Sequence, residues 1–520
     1  MGRVLTNNSS LAYSIESSLG TAGTEWFLTE PNDIGAFGAE ISTVSRSPIS
    51  KNRQRRKGTV TDLDSTLELE VDVTMSSFKD FAEGYIFSTA VNDDVTDMYA
   101  TTVVDTDVDS YVLSTTLTTA ASAKIEIDTL LWAEGFTNSG NNGLKSVVTD
   151  AAASDASIFV NESLTAEASP PSTARVSFCG HRMAAGDTPS WTWDGSSQAT
   201  LSLTGIGTEL QALGLTIGQF VHIGSIATAT TTTITNAFSN SVADDMYGWA
   251  RVYEFTDANT VVFDKVDAAL QYTDATIATA VDILFGQFIR NVSTSHADYI
   301  ERSYQFELEE VNLGSGSTDM YSYSKGNYAN TMTFELPLAD KATLSFGFIG
   351  TDTDDPVAAA SRKTGASSAS SPLRTGALNT TADVARLRIT DTDETGLTTD
   401  FKELSITLNN NVSAEKVLGT LGAKYMNTGN FEVDIEGQLV FTNADVVTRI
   451  RNNTTVTMDF ILANDDGVIA VDLPSMTLGG GDREFPVNES VLINTTAQTF
   501  EDATLGTSIG VSLLPVPIPA

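Results

Sequence analysis

The stretch Leu67–Tyr85, "LELEVDVTMSSFKDFAEGY", decides the fold. Its first seven residues alternate strictly. Leu67, Leu69, Val71 and Val73 fall on one face and Glu68, Glu70 and Asp72 on the other, the period of two of a half-buried β-strand. The period then changes. Phe78, Phe81, Ala82 and Tyr85 stand at i, i+3, i+4 and i+7, which predicts a helix laid on a core. Ser77 with Asp80 reads as its capping box, in the looser form that admits Asp.

The arrangement returns far downstream. "FEVDIE" (Phe431–Glu436) alternates Phe431, Val433 and Ile435 with Glu432, Asp434 and Glu436. Thr442 with Asp445 repeats the cap, and Val446, Val447 and Ile450 supply the helical stripe. Upstream, "SPISK" (Ser47–Lys51) aligns with "NNVSA" (Asn410–Ala414). The ordered succession predicts a duplicated strand–loop–strand–helix unit. A smaller repeat relates Gly135–Asn161 to Ala237–Lys265, each reading as polar turn, strand, polar turn, strand. These predict a pair of small β modules inserted into the larger unit, with "LTIGQFVHIGS" (Leu215–Ser225) an opening strand of the second.

A chain of 520 residues exceeds one ordinary core. At 41% hydrophobic and 18% charged residues it has the balance of a folded protein. Abundant Thr, Val, Ser and Gly lean it to β structure. The net charge of −38 repels phosphate over most of the surface and argues against general nucleic-acid binding. Cys179 is the only cysteine, so no internal disulfide forms. No apolar signal core opens the chain, and no apolar run approaches the roughly 20 residues of a membrane span.

Catalytic signatures are scarce. His181, His222 and His296 lack metal-type spacing, and Cys179 near His181 has no partner motif. "TLGGGDREF" (Thr477–Phe485) lacks the Lys-Ser/Thr ending of a phosphate loop and reads as a turn. "DTDETGLTTD" (Asp391–Asp400) opens like a calcium loop, but its twelfth position is Lys402 where a bidentate Glu is needed. The reading is of a non-enzyme without cofactor or metal. Val357–Thr380, rich in Ala, Ser, Gly and Thr, reads as a long mobile loop, and Leu513–Ala520 as an extended Pro-rich segment. Trp191, Trp193 and Trp249 are candidate exposed aromatics that would suit a carbohydrate-binding surface.

The densest basic run of this acidic chain is "KNRQRRK", with Lys51, Arg53, Arg55, Arg56 and Lys57. It falls in a loop between predicted strands Glu40–Ser45 and Leu67–Val73. Contact with acidic surface on a neighbouring copy, where Arg pairs bidentately with carboxylate, is the expected role. A merely solvated loop is the alternative.

Tyr13–Gly20, Leu28–Asp64, Asn409–Val447 and Leu478–Phe500 together resemble the tail tube proteins (major tail proteins) of long-tailed bacteriophages. The resemblance implies a mainly β fold: a duplicated tail-tube β-sandwich or barrel unit, each copy with a short flanking helix, plus inserted small β-barrel modules. The expected divisions are 1–126, first tube unit; 127–297, inserted modules on the outer surface; 298–511, second tube unit; and 512–520, a Pro-rich arm. The resemblance further implies a structural virion protein, made in the host cytoplasm and placed in the tail. Stacked rings would form a DNA channel, and tape measure, tail terminator and distal tail proteins would be partners. Two units per chain imply homotrimeric, pseudo-sixfold rings, with a homohexamer the alternative. A single-ring tail-tip or baseplate hub protein is the rival reading. Glu68, Glu70, Asp72, Glu432, Asp434 and Glu436 would either line the channel and keep DNA from sticking or simply look outward to water.

Overall fold

The structure, a computed structural model, describes residues 4–518 except 48, 50, 52–55, 107, 184–186, 204–209, 229–230, 236–246, 274–280, 314–317, 392–395, 399 and 443. The chain is mainly β and divides into two compact units. Unit 1 gathers Met1–Ser88, Thr294–Thr380 and Lys402–Leu439; unit 2 gathers Thr89–Ser293, Thr381–Phe401 and Val440–Ala520. Each unit is thus assembled from distant segments, which antiparallel pairing permits.

Unit 1 is built from β1 (Val4–Ser18), β2 (Pro31–Val44), β3 (Thr59–Asp72), helix α1 (Met75–Ile86), β4 (Ser303–Asn312), β5 (Met320–Leu336), β6 (Thr343–Gly350), β7 (Asp352–Ala358), β8 (Phe401–Asn409) and β9 (Glu432–Val440). The long strand β5 organises it. β6 and β7 run back along one side of β5 in a single hairpin. Its other side pairs with β4 over its first half and with β8 over its second. From β4 the sheet continues to β1. From β6 it continues to β3 and then β2. β9 adds to β8.

The predicted alternation holds in β3: Leu67, Leu69 and Val71 are buried, and Glu68 and Glu70 are exposed. The helix also forms where predicted, and Phe78, Phe81, Ala82 and Tyr85 are all buried. The Phe81 ring sits 4.8 Å from Tyr13, 5.0 Å from Phe346 and 5.5 Å from both Tyr304 and Phe348, so α1 seals the sheet with a cluster of aromatic side chains. The cap, however, is three residues earlier than predicted. Thr74 Oγ1 accepts from the Ser77 amide at 2.9 Å while Ser77 Oγ accepts from the Thr74 amide at 2.9 Å. The reciprocal bonds need only a hydroxyl at the third helical position, and Ser77 supplies it where Asp80 was expected to serve.

The segment Val357–Thr380 is tied down along its length. Trp26 Nε1 donates to the Thr364 carbonyl, Arg362 Nε donates to the buried Glu307 at 2.9 Å, and the Arg374 amide donates to Ser76 Oγ at 3.0 Å. A composition poor in apolar bulk concealed these polar anchors.

In unit 2 most strands of the predicted insert join Met98–Val104 and Asp109–Leu113, from before it, in one antiparallel sheet, while Gln287–Arg290 joins the C-terminal strands. The order of that sheet is Ser157–Val160, Asp109–Leu113, Met98–Val104, Arg175–Met183, Val281–Leu284, Phe220–Ile223, Gly248–Asp257, Thr260–Asp264, Ala199–Ser202, Ser190–Trp193. The similarity of the two small modules extends only partly to pairing, since in the first the two strands meet at a single bridge, Val147 opposite Val160. Gly248–Asp257 and Thr260–Asp264 make a hairpin, whereas Gly143–Ser146 and Ser157–Val160 pair with Thr129–Glu134 and Asp109–Leu113. Residues 237–246 of that repeat lie outside the described residues. Trp191 and Trp249 are core residues, which corrects the expectation that they are exposed, and Trp193 is half-buried.

The C-terminal strands of unit 2 run Val384–Asp391, Thr455–Asn464, Gly467–Glu484, Gly510–Leu514, Gln287–Arg290. The Gly-rich "TLGGGDREF" is part of the long Gly467–Glu484 strand, not a turn. Gly480 and Gly481, at φ +73° and +98°, form a bulge while pairing continues to Leu492–Thr499. The second predicted helix spans Asp445–Asn452, with Val446 buried. Its N-cap is Ala444, with no side-chain bond, so Thr442 does not cap it.

The insert and the C-terminal strands share a core. Leu130, Cys179, Phe220, Trp249 and Leu284 pack with Ile461, Val468, Ala470 and Leu514. Val516 and Ile518 of the Pro-rich end bury themselves in the same cluster. Buried ions join the layers as well. Arg251 contacts Asp264 at 2.5 Å and Asp472 at 2.8 Å, and Arg386 spans Asp459 and Asp267. Residues 135–267 are consequently bound into unit 2 by both apolar burial and charge.

Candidate functional site

The six acidic residues singled out from the two alternating strands lie on one sheet face of unit 1. β3 and β9 are separated there by β6, β5 and β8. Glu68, Glu70, Glu432, Asp434 and Glu436 are exposed, and Asp72 is half-buried. Register fills in the middle of the face. Glu70 stands opposite Ser345, Ser345 opposite Thr333, and Thr333 opposite Thr407. Thr333 and Thr407 hydroxyls lie 3.2 Å apart. Glu335 faces Thr343 and Ser405 in the next row. The face therefore carries carboxylates along both flanks, with hydroxyls and Glu335 between, and no Lys or Arg at these strand positions.

That chemistry repels rather than grips a polyanion. Salt-dependent affinity for phosphate comes from cations, and the half-buried hydroxyls of this face offer no net charge. Asp72 is partly neutralised through Lys341 Nζ at 2.6 Å. The opposite side of the same strands is the apolar core, so burial of the alternate residues fixes which way the carboxylates point.

The basic run sits at the far end of the β2–β3 hairpin. Lys51, Arg56 and Lys57 are exposed; Arg53 and Arg55 lie outside the described residues. The strands flanking it are longer than predicted, Pro31–Val44 and Thr59–Asp72. β3 pairs with β6 only over Ser65–Asp72, so the hairpin beyond that point, from Glu40 to Asp64, stands as a two-stranded arm.

Two of the three histidines and the cysteine are buried, whereas His296 is exposed. Burial pushes the His181 and His222 imidazoles down to about 4 and about 3, so both stay neutral. Burial pushes the Cys179 thiol well up, which disfavours the thiolate. Among the described residues no group of three His, Cys, Asp or Glu side chains is placed to hold a metal. Residues 392–395 and 399 of the calcium-like stretch lie outside the described residues.

One feature of unit 2 escaped sequence reading. Asp459 and Asp472 interrupt the apolar strands "TVTMDFILAN" and "GVIAVDLP", and both are fully buried against arginine. A lone acid inside a strand that is apolar on both sides was the available signal, since such a charge requires a buried partner.

No curated protein matches this chain. The mainly β architecture agrees with one family comparison: residues 253–501, drawn from both units, match the model of the phage tail tube protein family.

Proposed function

We propose that this protein is the structural subunit of a phage tail tube, stacking in rings around a channel through which DNA passes without tight binding. The observation that carries the reading is the sheet face of Glu68, Glu70, Asp72, Glu432, Asp434 and Glu436, coupled to the family match over residues 253–501. A conduit for DNA must avoid the salt-dependent affinity that each phosphate–cation contact adds. A carboxylate-and-hydroxyl wall meets that requirement, so this face lines the channel in our reading. The exposed basic arm meets a neighbouring copy, where the chain's acidic surplus supplies carboxylates. The role is structural rather than catalytic, and the place is the virion tail. Three chains complete a ring if the unit is duplicated as the sequence predicts, with tape measure, terminator and distal tail proteins at its ends.

The test is polymerisation of the purified protein, followed by sedimentation and electron microscopy. Long hollow tubes are expected. Single rings that never stack would favour a tail-tip hub, and a protein that stays monomeric at high concentration would contradict the proposal.

A further inference from the structure

Unit 2 carries an open groove that plays no part in the acidic face of unit 1. It lies where Met98–Val104 and Asp109–Leu113 meet the loop that runs into the short helix Thr119–Ser122, and it encloses about 290 Å³. That is close to the roughly 300 Å³ at which small-ligand sites begin. Leu113 and Leu117 are buried and give the groove an apolar floor, beside the half-buried Met98. The Tyr99 side chain is 38% exposed at its side. Ser114, Thr115, Thr116 and Thr118, all exposed, put hydroxyls along the rim.

The groove is preformed. The Ser114 amide donates to the Tyr99 carbonyl at 2.8 Å, and the Leu117 amide donates to the Asp155 carbonyl at 2.8 Å. Thr118 Oγ1 caps the short helix by accepting from the Ala121 amide at 3.1 Å. Two carboxylates at the rim are fixed as well, Asp94 by Lys124 at 2.6 Å and Asp97 by Arg175 at 3.0 Å. A rim already ordered lowers the entropy cost of binding.

The lining selects a class of ligand. Among the described residues no Lys or Arg lines the groove, so a phosphate or carboxylate ligand would meet carboxylates without a cation in the wall. Both carboxylates already have a cationic partner, so the groove does not call for a cationic ligand either. A peptide adding as a strand needs an open sheet edge. Met98–Val104 is instead paired with Asp109–Leu113 on one side and with Arg175 and Val176 on the other. A neutral saccharide meets these conditions. The C–H face of its ring packs on an aromatic side chain, and its hydroxyls both donate to carboxylates and exchange hydrogen bonds with Ser and Thr.

We infer that this groove binds a neutral saccharide, with Tyr99 as the stacking surface and Asp94, Thr115 and Thr116 as partners of the sugar hydroxyls. The inference goes beyond the tube reading and does not depend on it. The buried Trp191 and Trp249 take no part.

The test is saturation-transfer NMR on the full chain before assembly. The neutral probes are the methyl glycosides of glucose, galactose, mannose, rhamnose and N-acetylglucosamine; glucuronate and sialic acid are the anionic ones. At least one neutral glycoside should bind, and the anions about tenfold more weakly, as like charge requires. Tyr99→Ala should weaken the bound glycoside about tenfold, the worth of one aromatic anchor. Thr115→Val/Thr116→Val keeps the shape, removes two hydroxyls and should weaken it too. These side chains are exposed, so the unfolding midpoint of each variant should match the parent. The inference is wrong if no neutral glycoside binds, if the anions bind as well as the neutral probes, or if the folded variants bind like the parent.

Discussion

Replacing Arg251 with Met tests whether buried charge, as well as apolar burial, holds unit 2 together. Arg251 is 4% exposed and is the shared partner of Asp264 and Asp472, which are 8% and 1% exposed. Its removal leaves two buried carboxylates without that cation. Breaking a buried pair from one side costs about 3–5 kcal/mol, and two acids depend on this guanidinium. The loss should depend on pH. Burial already holds the Asp472 carboxyl up at about 6 despite Arg251, and the variant pushes it higher. A carboxyl whose folded pKa is raised takes up its proton more readily in the folded state, so the fold gains stability as pH falls through that value. The deficit of the variant should be largest at pH 7 and shrink by roughly 1.4 kcal/mol per pKa unit of further shift as pH approaches 5. Guanidinium unfolding followed by tryptophan fluorescence reports on it directly, since Trp132, Trp191, Trp193 and Trp249 all belong to unit 2. A deficit below about 1 kcal/mol, typical of an exposed pair, with no change between pH 7 and 5, would refute the reasoning.

Gly84→Ala should destabilise unit 1 by about 1–3 kcal/mol, the usual cost of overpacking, because the added methyl would meet Tyr304 ring carbons at 2.7 and 2.9 Å; thermal melts check it. His222→Phe should flatten the acid limb of the stability curve. The buried imidazole, held at about 3, binds a proton far more readily once unfolded, so it withdraws stability as pH falls below its ordinary 6.5, and the variant should unfold later than the parent near pH 4. Changing Glu68 and Glu70 to Lys should leave the monomer folded, while assembled protein should retain DNA at low salt and release it as salt rises, measured by co-sedimentation. Arg53, Arg55 and Arg56 changed together to Glu should give folded protein whose tubes form only at high salt, where screening shortens like-charge repulsion.

The sequence was most informative where one side of an element faces water. The alternation in β3 and β9 and the Phe78–Tyr85 stripe each record a boundary between core and solvent, and both formed where predicted. That β3 and β9 share one sheet was not legible, because strand order depends on pairing between residues hundreds of positions apart. The first cap was misplaced because Thr74, Ser76 and Ser77 all stand near that helix start and only backbone geometry selects among them, and the second helix has Ala444 at its N-cap with no side-chain cap at all. Trp191, Trp193 and Trp249 carry no periodicity that separates core from surface. The segment Val357–Thr380 looked loose since its anchors, Arg362 and Arg374, bind partners distant in sequence. Of the site, the exposed acids were legible from the alternation, while the contact of Lys416 with Asp62 and Asp64 was not, since nothing in "SAEKVLGTLG" announces partners so distant in sequence.

The central claim is that copies of this chain enclose a channel walled by the acidic face. An averaged electron-microscope reconstruction of assembled protein, viewed down the tube axis, tests it most directly. The account predicts a hollow tube of rings holding three chains of 55.2 kDa each, with β3 and β9 turned toward the lumen. A solid fibre, a ring of six chains, or a tube whose lumen is walled by other surfaces while Glu68, Glu70, Glu432, Asp434 and Glu436 face outward would contradict it.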